Sequence, residues 1–403
     1  MERIGIYGGT FNPPHVGHIY AARQAARILK LDKLLMVPTG IAPHKQLPAD
    51  SATPAQRLEM LQLAIEADPE LQVSDIEIRR DGPSYTWETV QQLQQMYPDS
   101  QLILLMGTDM FLSFWNWREP EKIAEIAELA VLYRGDANEK QLIQQQKRLS
   151  EEKGARVTVI ENETVTISST DLRRMLIFDC ASEFLPKGVE HYIRENGIYG
   201  TGKDCKNLSM PELETVVIGL LKPNRVAHVL GCRDTAVQLA RHWGADEEDA
   251  ARAGILHDIT KALDGPLQLT LCRQYGMMLD TFSENNPKTL HALTGSLVAE
   301  RIFGENQRVV DAIYSHTTGK ANMNLLEKII YVADYIEPVR NFPEVERLRE
   351  LAFSDLDGAL EMGLQMTLEL LIEQKREISP GTREALADLK KKRCTAAGIQ
   401  NEN

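Results

Sequence analysis

The chain has 403 residues, 43% hydrophobic and 26% charged, with a formal net charge of −13. That length exceeds what one core usually sustains and predicts two globular domains, while the absence of an apolar run near the ~18–20 residues of a bilayer span excludes a helical membrane protein. The acidic excess, shared by both halves, excludes the basic footprint of a nucleic-acid binder, so any nucleotide partner is small and held by local charge.

In the first half, short apolar runs at 3–7, 34–37, 72–78, 102–106, 129–133 and 156–160 read as strands. Helical patterns at 15–29, 54–67, 86–96, 119–127 and 138–152 separate them, and Thr53-Pro54-Ala55-Gln56 reads as a capping box with proline at the first helical position. Strands alternating with helices in this way predict an α/β doubly wound parallel sheet, whose ligands bind beyond the carboxyl ends of the strands, where Gly8, Gly107 and Thr108 lie. A short linker is expected at 201–210, beginning Thr201-Gly202-Lys203-Asp204. From there to 391 the period is 3.6 throughout, predicting an all-α bundle followed by a tail at 392–403. The helix near Asn224 presents Val226, Val229, Leu230, Val237 and Ala240 as its apolar stripe.

Cys180, Cys205, Cys232, Cys272 and Cys394 form no C-x-x-C pair, which disfavours a disulfide scaffold or thiolate zinc site and fits a reducing compartment. The opening residues MERIGIYGGT read as a strand entering a turn rather than as a signal peptide, so the cytoplasm is the expected location. Oligomeric state stays open, a homo-oligomer included.

Seven of the nine histidines fall into two constellations. In the first, a strand runs into Gly8-Gly9-Thr10-Phe11-Asn12-Pro13-Pro14-His15-Val16-Gly17-His18, and His44 follows beside Lys45. Glycines let backbone approach a phosphate, and a helix opening near His15 offers free N–H groups and partial positive charge. His15 and His18, three apart, can share one face of its first turn. This string resembles the GxFxPxHxGH signature of the nucleotidylyltransferase superfamily, and Ile167-Ser168-Ser169-Thr170-Asp171-Leu172-Arg173 resembles its ISSTxxR signature. The resemblance implies a Rossmann-like fold that joins ATP, with Mg²⁺, to a phosphorylated partner. Ser168 and Ser169 would cap a helix and Arg173 would reach the triphosphate.

Between the signatures, Pro43-His44-Lys45, Ser84-Tyr85-Thr86 and Met106-Gly107-Thr108-Asp109 resemble segments of the nicotinate-nucleotide adenylyltransferases, and 185–199 matches that family's C-terminal segment. The resemblance, over about 1–200, implies nicotinate mononucleotide as acceptor. It places Trp117 against the pyridine ring, and Thr86 and the Arg118 N–H at the carboxylate. Gly8, Gly9, Thr10, Phe11, Gly107 and Asp109 join the binding set, and His15, His18, Lys45 and Arg173 neutralise charge at the α-phosphate. Two positions depart from the pattern: Ile177-Phe178-Asp179-Cys180 stands where a glycine often follows the helix, and Arg118 where tyrosine is common. Trp115 reads as core.

In the second constellation His228, His257, Asp258, His291, His316 and Asp334 each lie on a predicted helix or its end. Imidazoles and carboxylates without thiolates suit a first-row metal such as Fe, Mn or Zn, and bundle cores can assemble such sites. The stretch Leu256–Lys261 resembles the HD-domain doublet of metal-dependent phosphohydrolases. With Tyr314–Gly319 and 326–338 it looks like the YqeK-type subgroup, over about 211–391. That resemblance implies a di-iron centre and symmetrical hydrolysis of diadenosine tetraphosphate, a dinucleoside polyphosphate, to two ADP. The six donors suffice for two such ions with Asp258 as the implied bridge, and paired ions can stabilise both sides of a displacement at phosphorus. A competing expectation makes this half a regulatory nucleotide sensor, or a hydrolase of another nucleotide. Lys261, Arg225 and Lys320 read equally as phosphate contacts or as surface cations, and His191 and His242 as structural.

Overall fold

The structure, a computed structural model, describes residues 1–43, 47–48, 50–133, 135, 139–162 and 167–396. It divides into two units, Met1–Lys203 and Asp204–Asn403. Among the described residues no helix is long and apolar enough to cross a membrane.

The first unit is an α/β fold around one six-stranded sheet: β1 (Arg3–Gly9), β2 (Lys33–Pro38), β3 (Leu71–Val73), β4 (Gln101–Gly107), β5 (Ala127–Tyr133) and β6 (Val157–Glu161). Their order is β3-β2-β1-β4-β5-β6 and every pairing is parallel. Chain order reverses between β1 and β4, and this switch leaves a crevice beyond their carboxyl ends, at Gly9 and Gly107. Helices α1 (Val16–Ile28), α2 (Pro54–Ile65), α3 (Thr86–Met96), α4 (Thr108–Leu112), α5 (Pro120–Ile126), α6 (Glu139–Lys153), α7 (Ser169–Ile177) and α8 (Lys187–Glu195) complete the unit. Ile4, Ile6, Leu102, Leu104, Met106, Leu129 and Val131 fill the core beneath the sheet. The capping box is formed: the Gln56 N–H donates to Thr53 Oγ1 at 3.2 Å, and the Thr53 N–H to Gln56 Oε1 at 2.9 Å.

Several boundaries differ from expectation. The third strand stops at Val73 because Asp75 turns the chain, its carbonyl accepting from the N–H groups of Ile78 and Arg79 at 2.9 and 3.0 Å. The fifth helix begins only at Pro120, since Glu119 adopts φ 53°, and it ends before Ala127, which opens β5. Trp115 packs half-buried on the core.

The second unit is all-helical among the described residues: α9 (Met210–Leu220), α10 (Val226–Trp243), α11 (Glu247–Leu256), α12 (Gly265–Gln274), α13 (Thr281–Asn285), α14 (Leu290–Arg301), α15 (Gln307–Ser315), α16 (Leu325–Ile336), α17 (Val345–Ser354), α18 (Leu356–Glu373) and α19 (Pro380–Ala396). The last helix thus runs past 391. On α10 the buried face is rotated from the purely apolar stripe: His228, Val229, Cys232, Thr235, Ala236, Leu239 and Ala240 point inward, while Val226, Leu230 and Val237 flank them. The cause is close packing against α11, where a Cβ on Gly254 would lie 2.7 Å from the Arg233 Cα. Small and polar residues serve that face better than large aliphatics.

Candidate functional site

At the end of β1 the glycine-rich turn is held from behind by side chains distant in sequence. Arg57 Nη1 donates to the Thr10 carbonyl at 2.8 Å, Arg173 Nη1 to the Asn12 carbonyl at 2.8 Å, and Ser169 Oγ to the Pro13 carbonyl at 3.3 Å. The Tyr199 hydroxyl donates to Asn12 Oδ1 at 2.7 Å. Both signature segments therefore meet. His15 caps α1, its N–H lies 3.3 Å from His18 Nδ1, and the two rings overlap with centroids 3.6 Å apart. A Cβ on Gly8 or Gly107 would meet nothing within 4 Å, so these glycines border open space.

Phe11 enters differently from its expected place in the binding set. Its ring is buried between Tyr7 and His18, with centroids at 5.7 and 5.1 Å, so only its backbone can face a ligand. Ser168 caps α7, accepting from the Asp171 N–H at 3.0 Å. Burial lowers the pKa of Arg173, whose guanidinium nonetheless keeps its charge.

Beside the turn opens a cavity of about 540 Å³, lined among others by Gly8, Gly9, Thr10, Thr86, Trp117 and Arg118. Trp117 leans on Phe114 at 5.4 Å, and the Arg118 guanidinium lies over the Tyr85 ring at 4.5 Å. An apolar wall with a few convergent polar groups suits a flat heteroaromatic ligand carrying an anion. Asp109, exposed in the first turn of α4, stands outside this lining, as does Gly107. His44 and Lys45 lie outside the described residues. Three participants escaped sequence reasoning: Arg57, the role of Tyr199, and the buried Glu77, which lines the cavity and receives the Thr89 hydroxyl at 2.7 Å. Burial raises the Glu77 pKa.

In the helical unit, five elements converge. His228 comes from α10, His257 from the end of α11 with Asp258 following, His291 from α14, His316 from the end of α15 and Asp334 from α16. Asp258 lies between two groups of nitrogens. Its Oδ2 is 3.7 Å from His228 Nε2 and 3.6 Å from His257 Nε2, and His228 Nε2 is 3.1 Å from Asp334 Oδ1. Its Oδ1 faces His291 Nε2 at 3.4 Å and His316 Nε2 at 3.7 Å.

The imidazoles are oriented alike. The Nδ1 atoms of His257, His291 and His316 each meet the carbonyl three residues back, Gly254 at 2.7 Å, Lys288 at 2.8 Å and Ile313 at 2.6 Å. His228 Nδ1 meets Glu337 Oε1 at 2.9 Å. With Nδ1 donating, each Nε2 turns a lone pair inward. Burial holds His257 and His291 well below the ordinary imidazole range and brings His316 down to about 4, so these three are neutral, as ligands must be.

Asp258 Oδ1 is buried and has no hydrogen-bond partner among the described residues. The nearest cation to that oxygen is the Lys261 ammonium at 3.5 Å, and a buried set of inward imidazole lone pairs and carboxylate oxygens without thiolates fits divalent metal ions. His228, His257 and Asp334 form one triple able to hold an ion, and His257, Asp258 and His316 another.

The cations nearby are now placed. Arg225 contacts Asp258 Oδ2, Lys261 Nζ is 2.8 Å from His291 Nε2, and Lys320 pairs with Glu327 at 2.6 Å. Glu337, Thr317 and Arg340 are additional. The Thr317 hydroxyl lies 3.0 Å from both His291 and His316 Nε2, and Arg340 pairs with Asp334 at 2.5 Å. Glu337 sits three residues beyond Asp334, a spacing that could have flagged it. His191 pairs with Glu195 and His242 packs on Trp243 and Phe353, away from both clusters.

Residues 6–175 match the cytidylyltransferase-like family and residues 225–339 the HD domain. A Synechococcus protein named probable nicotinate-nucleotide adenylyltransferase is 40% identical over 200 residues, covering 49% of this chain and 95% of its own. A Mycoplasma pneumoniae protein named probable nicotinate-nucleotide adenylyltransferase/Ap4A hydrolase is 29% identical over 375 residues, covering 91% and 99%. A Clostridium acetobutylicum crystal structure described as a predicted HD superfamily hydrolase involved in NAD metabolism is 38% identical, with TM-score 0.45, over 46% of this chain and 98% of its own.

Proposed function

We propose, starting from the fact that the chain belongs to the nicotinate-nucleotide adenylyltransferase family and carries an HD domain besides, that it is a bifunctional enzyme of nucleotide phosphate chemistry. Residues 1–200 are the transferase domain, moving AMP from ATP to nicotinate mononucleotide and releasing pyrophosphate. Residues 211–391 are a phosphohydrolase domain splitting diadenosine tetraphosphate into two ADP.

The observation that carries the first activity is the aromatic cavity opening directly beside the phosphate turn. The acceptor phosphate is already an anion, so its oxygen attacks the α-phosphorus without a base while the bond to the β-phosphate breaks. The site has to align two polyanions and disperse charge. His15 and His18 do this at the N-terminus of α1, joined by Arg173 and Lys45, with Mg²⁺ accompanying ATP. Thr86 and the Arg118 N–H hold the nicotinate carboxylate and Trp117 stacks on the ring. Stacking on an aromatic side chain is worth about 1–3 kcal/mol. Trp117→Ala should therefore raise KM for nicotinate mononucleotide roughly tenfold and leave KM for ATP unchanged in initial-rate assays.

The second activity rests on Asp258 lying between two imidazole groups. Bound there, two ions, of Fe or alternatively Mn or Zn, would supply Lewis acidity at phosphorus. His228, His257 and Asp334 would hold one ion, His291 and His316 the other, with Asp258 shared. Lys261 and Arg225 flank the cluster and meet substrate phosphate. Glu337 fixes the His228 ring, so Glu337→Gln should weaken metal binding about 10–100-fold in calorimetric titrations. A complete ligand set favours a hydrolase over a nucleotide sensor. The test supplies the full chain with ATP and either pyridine mononucleotide, and separately with diadenosine tetraphosphate and Mn²⁺ or Fe²⁺, resolving products by chromatography. Absence of ADP with every metal tried removes the hydrolase reading.

A further inference from the structure

Arg57 belongs to no signature, yet it is one of the largest fully buried side chains, 1% exposed. Its fork spans two loops: Nη1 donates to the Thr10 carbonyl at 2.8 Å and Nη2 to the Gly40 carbonyl at 3.1 Å. Thr10 lies in the turn after β1 and Gly40 in the segment after β2. One side chain thus ties together the carboxyl ends of adjacent strands. No carboxylate pairs with it among the described residues. Burial lowers its pKa, with Tyr199 and Glu77 pulling the other way.

A buried cation held by carbonyls alone is expensive, and an unbranched apolar residue would pack α2 as well. The guanidinium is better explained by its neighbours. In a trans peptide the N–H opposes the C=O, so turning the Thr10 carbonyl onto Arg57 directs the Phe11 N–H away from it. The Gly40 segment continues the link. Its N–H donates to Ser84 Oγ at 3.1 Å, and the Ser84 N–H donates to the Ile41 carbonyl at 2.8 Å, two residues before Thr86. Glu77 stands at the same junction, its carbonyl 2.5 Å from where a Gly40 Cβ would be.

We infer that Arg57 is a positioning residue that sets the spacing between the triphosphate turn and the acceptor segment, and so governs alignment of the two substrates rather than affinity for either. This rests on the adenylyltransferase reading. Lysine keeps the charge but lacks the rigid fork. Arg57→Lys in the full chain should lower kcat about 100-fold, since small misplacements in a two-substrate site cost that much. The dissociation constants of ATP alone and nicotinate mononucleotide alone, by calorimetry, should stay close to wild type. Gly40→Ala, whose Cβ would meet the Glu77 carbonyl at 2.5 Å and so forces the segment held by the fork to shift, should show the same split. Wild-type kcat in folded Arg57→Lys overturns the proposal, as does a fall in kcat matched by equal losses of both affinities. If that variant does not fold, Gly40→Ala decides on the same two readouts. An inactive wild-type chain would instead overturn the transferase reading.

Discussion

Asp258→Asn is expected to abolish the hydrolase, by on the order of 1,000-fold or more, while the transferase keeps wild-type rates. The substitution is nearly isosteric, so packing around α11 persists. What changes is charge: the carboxylate facing His228 and His257 on one side, and His291 and His316 on the other, becomes a neutral amide. The four imidazoles are then left with Asp334 as the single anion among them. Metal content by elemental analysis should drop below one ion per chain, and titration with Mn²⁺ should show the loss independently of turnover. A variant that retains two ions and full hydrolysis of diadenosine tetraphosphate would remove Asp258 from the centre.

His18→Ala should have the opposite selectivity, lowering adenylyl transfer about 100–1,000-fold, the cost of deleting one donor aimed at developing charge, with the hydrolase untouched. His18 overlaps His15 at 3.6 Å and packs edge-on to Phe11 at 5.1 Å. Its loss would remove both the proposed phosphate donor and the ring that braces His15 at the start of α1. Circular dichroism should be unchanged, because α1 keeps its buried residues Ile19, Ala22, Ala25 and Ala26. Near-normal turnover in this variant would refute the role. His18→Asn, which can still donate, should recover part of the rate.

The parallel sheet was legible because the four central strands are mostly buried apolar runs and the helices between them carry a 3.6-residue period. The third strand was overextended because Ile76 and Ile78 alternate as strand residues do, although they are one residue out of phase with Leu71 and Val73, and the slip falls where Asp75 turns the backbone. Motif residues at the glycine turn, at the ISSTxxR helix and among the six metal-ligand candidates were named because each is a rare residue type in a recurring pattern. Their supports were not. Arg57 stands at positions i, i+3, i+4 and i+7 with Met60, Leu61 and Ala64, all buried, and that spacing was its only signal. Taken alone it reads as one basic residue on an amphipathic helix, because the carbonyls it serves are brought to it by the fold. Glu337 had only its spacing from Asp334 as a signal, its partner His228 lying 109 positions away, and Tyr199 was hidden for the same reason as Arg57, its partner lying 187 positions away.

That last separation bears on how the protein is made. Asn12 leaves the ribosome early, but the hydroxyl that clasps its side chain is carried 187 residues later, at the very end of the first unit. All six strands are synthesised before this clasp, which is supplied only as the first unit ends. A chain cut just before Tyr199 would keep all six strands, both signatures and the ties from Arg57, Ser169 and Arg173, and of these holds on the turn would lack only the hydroxyl that holds Asn12 Oδ1.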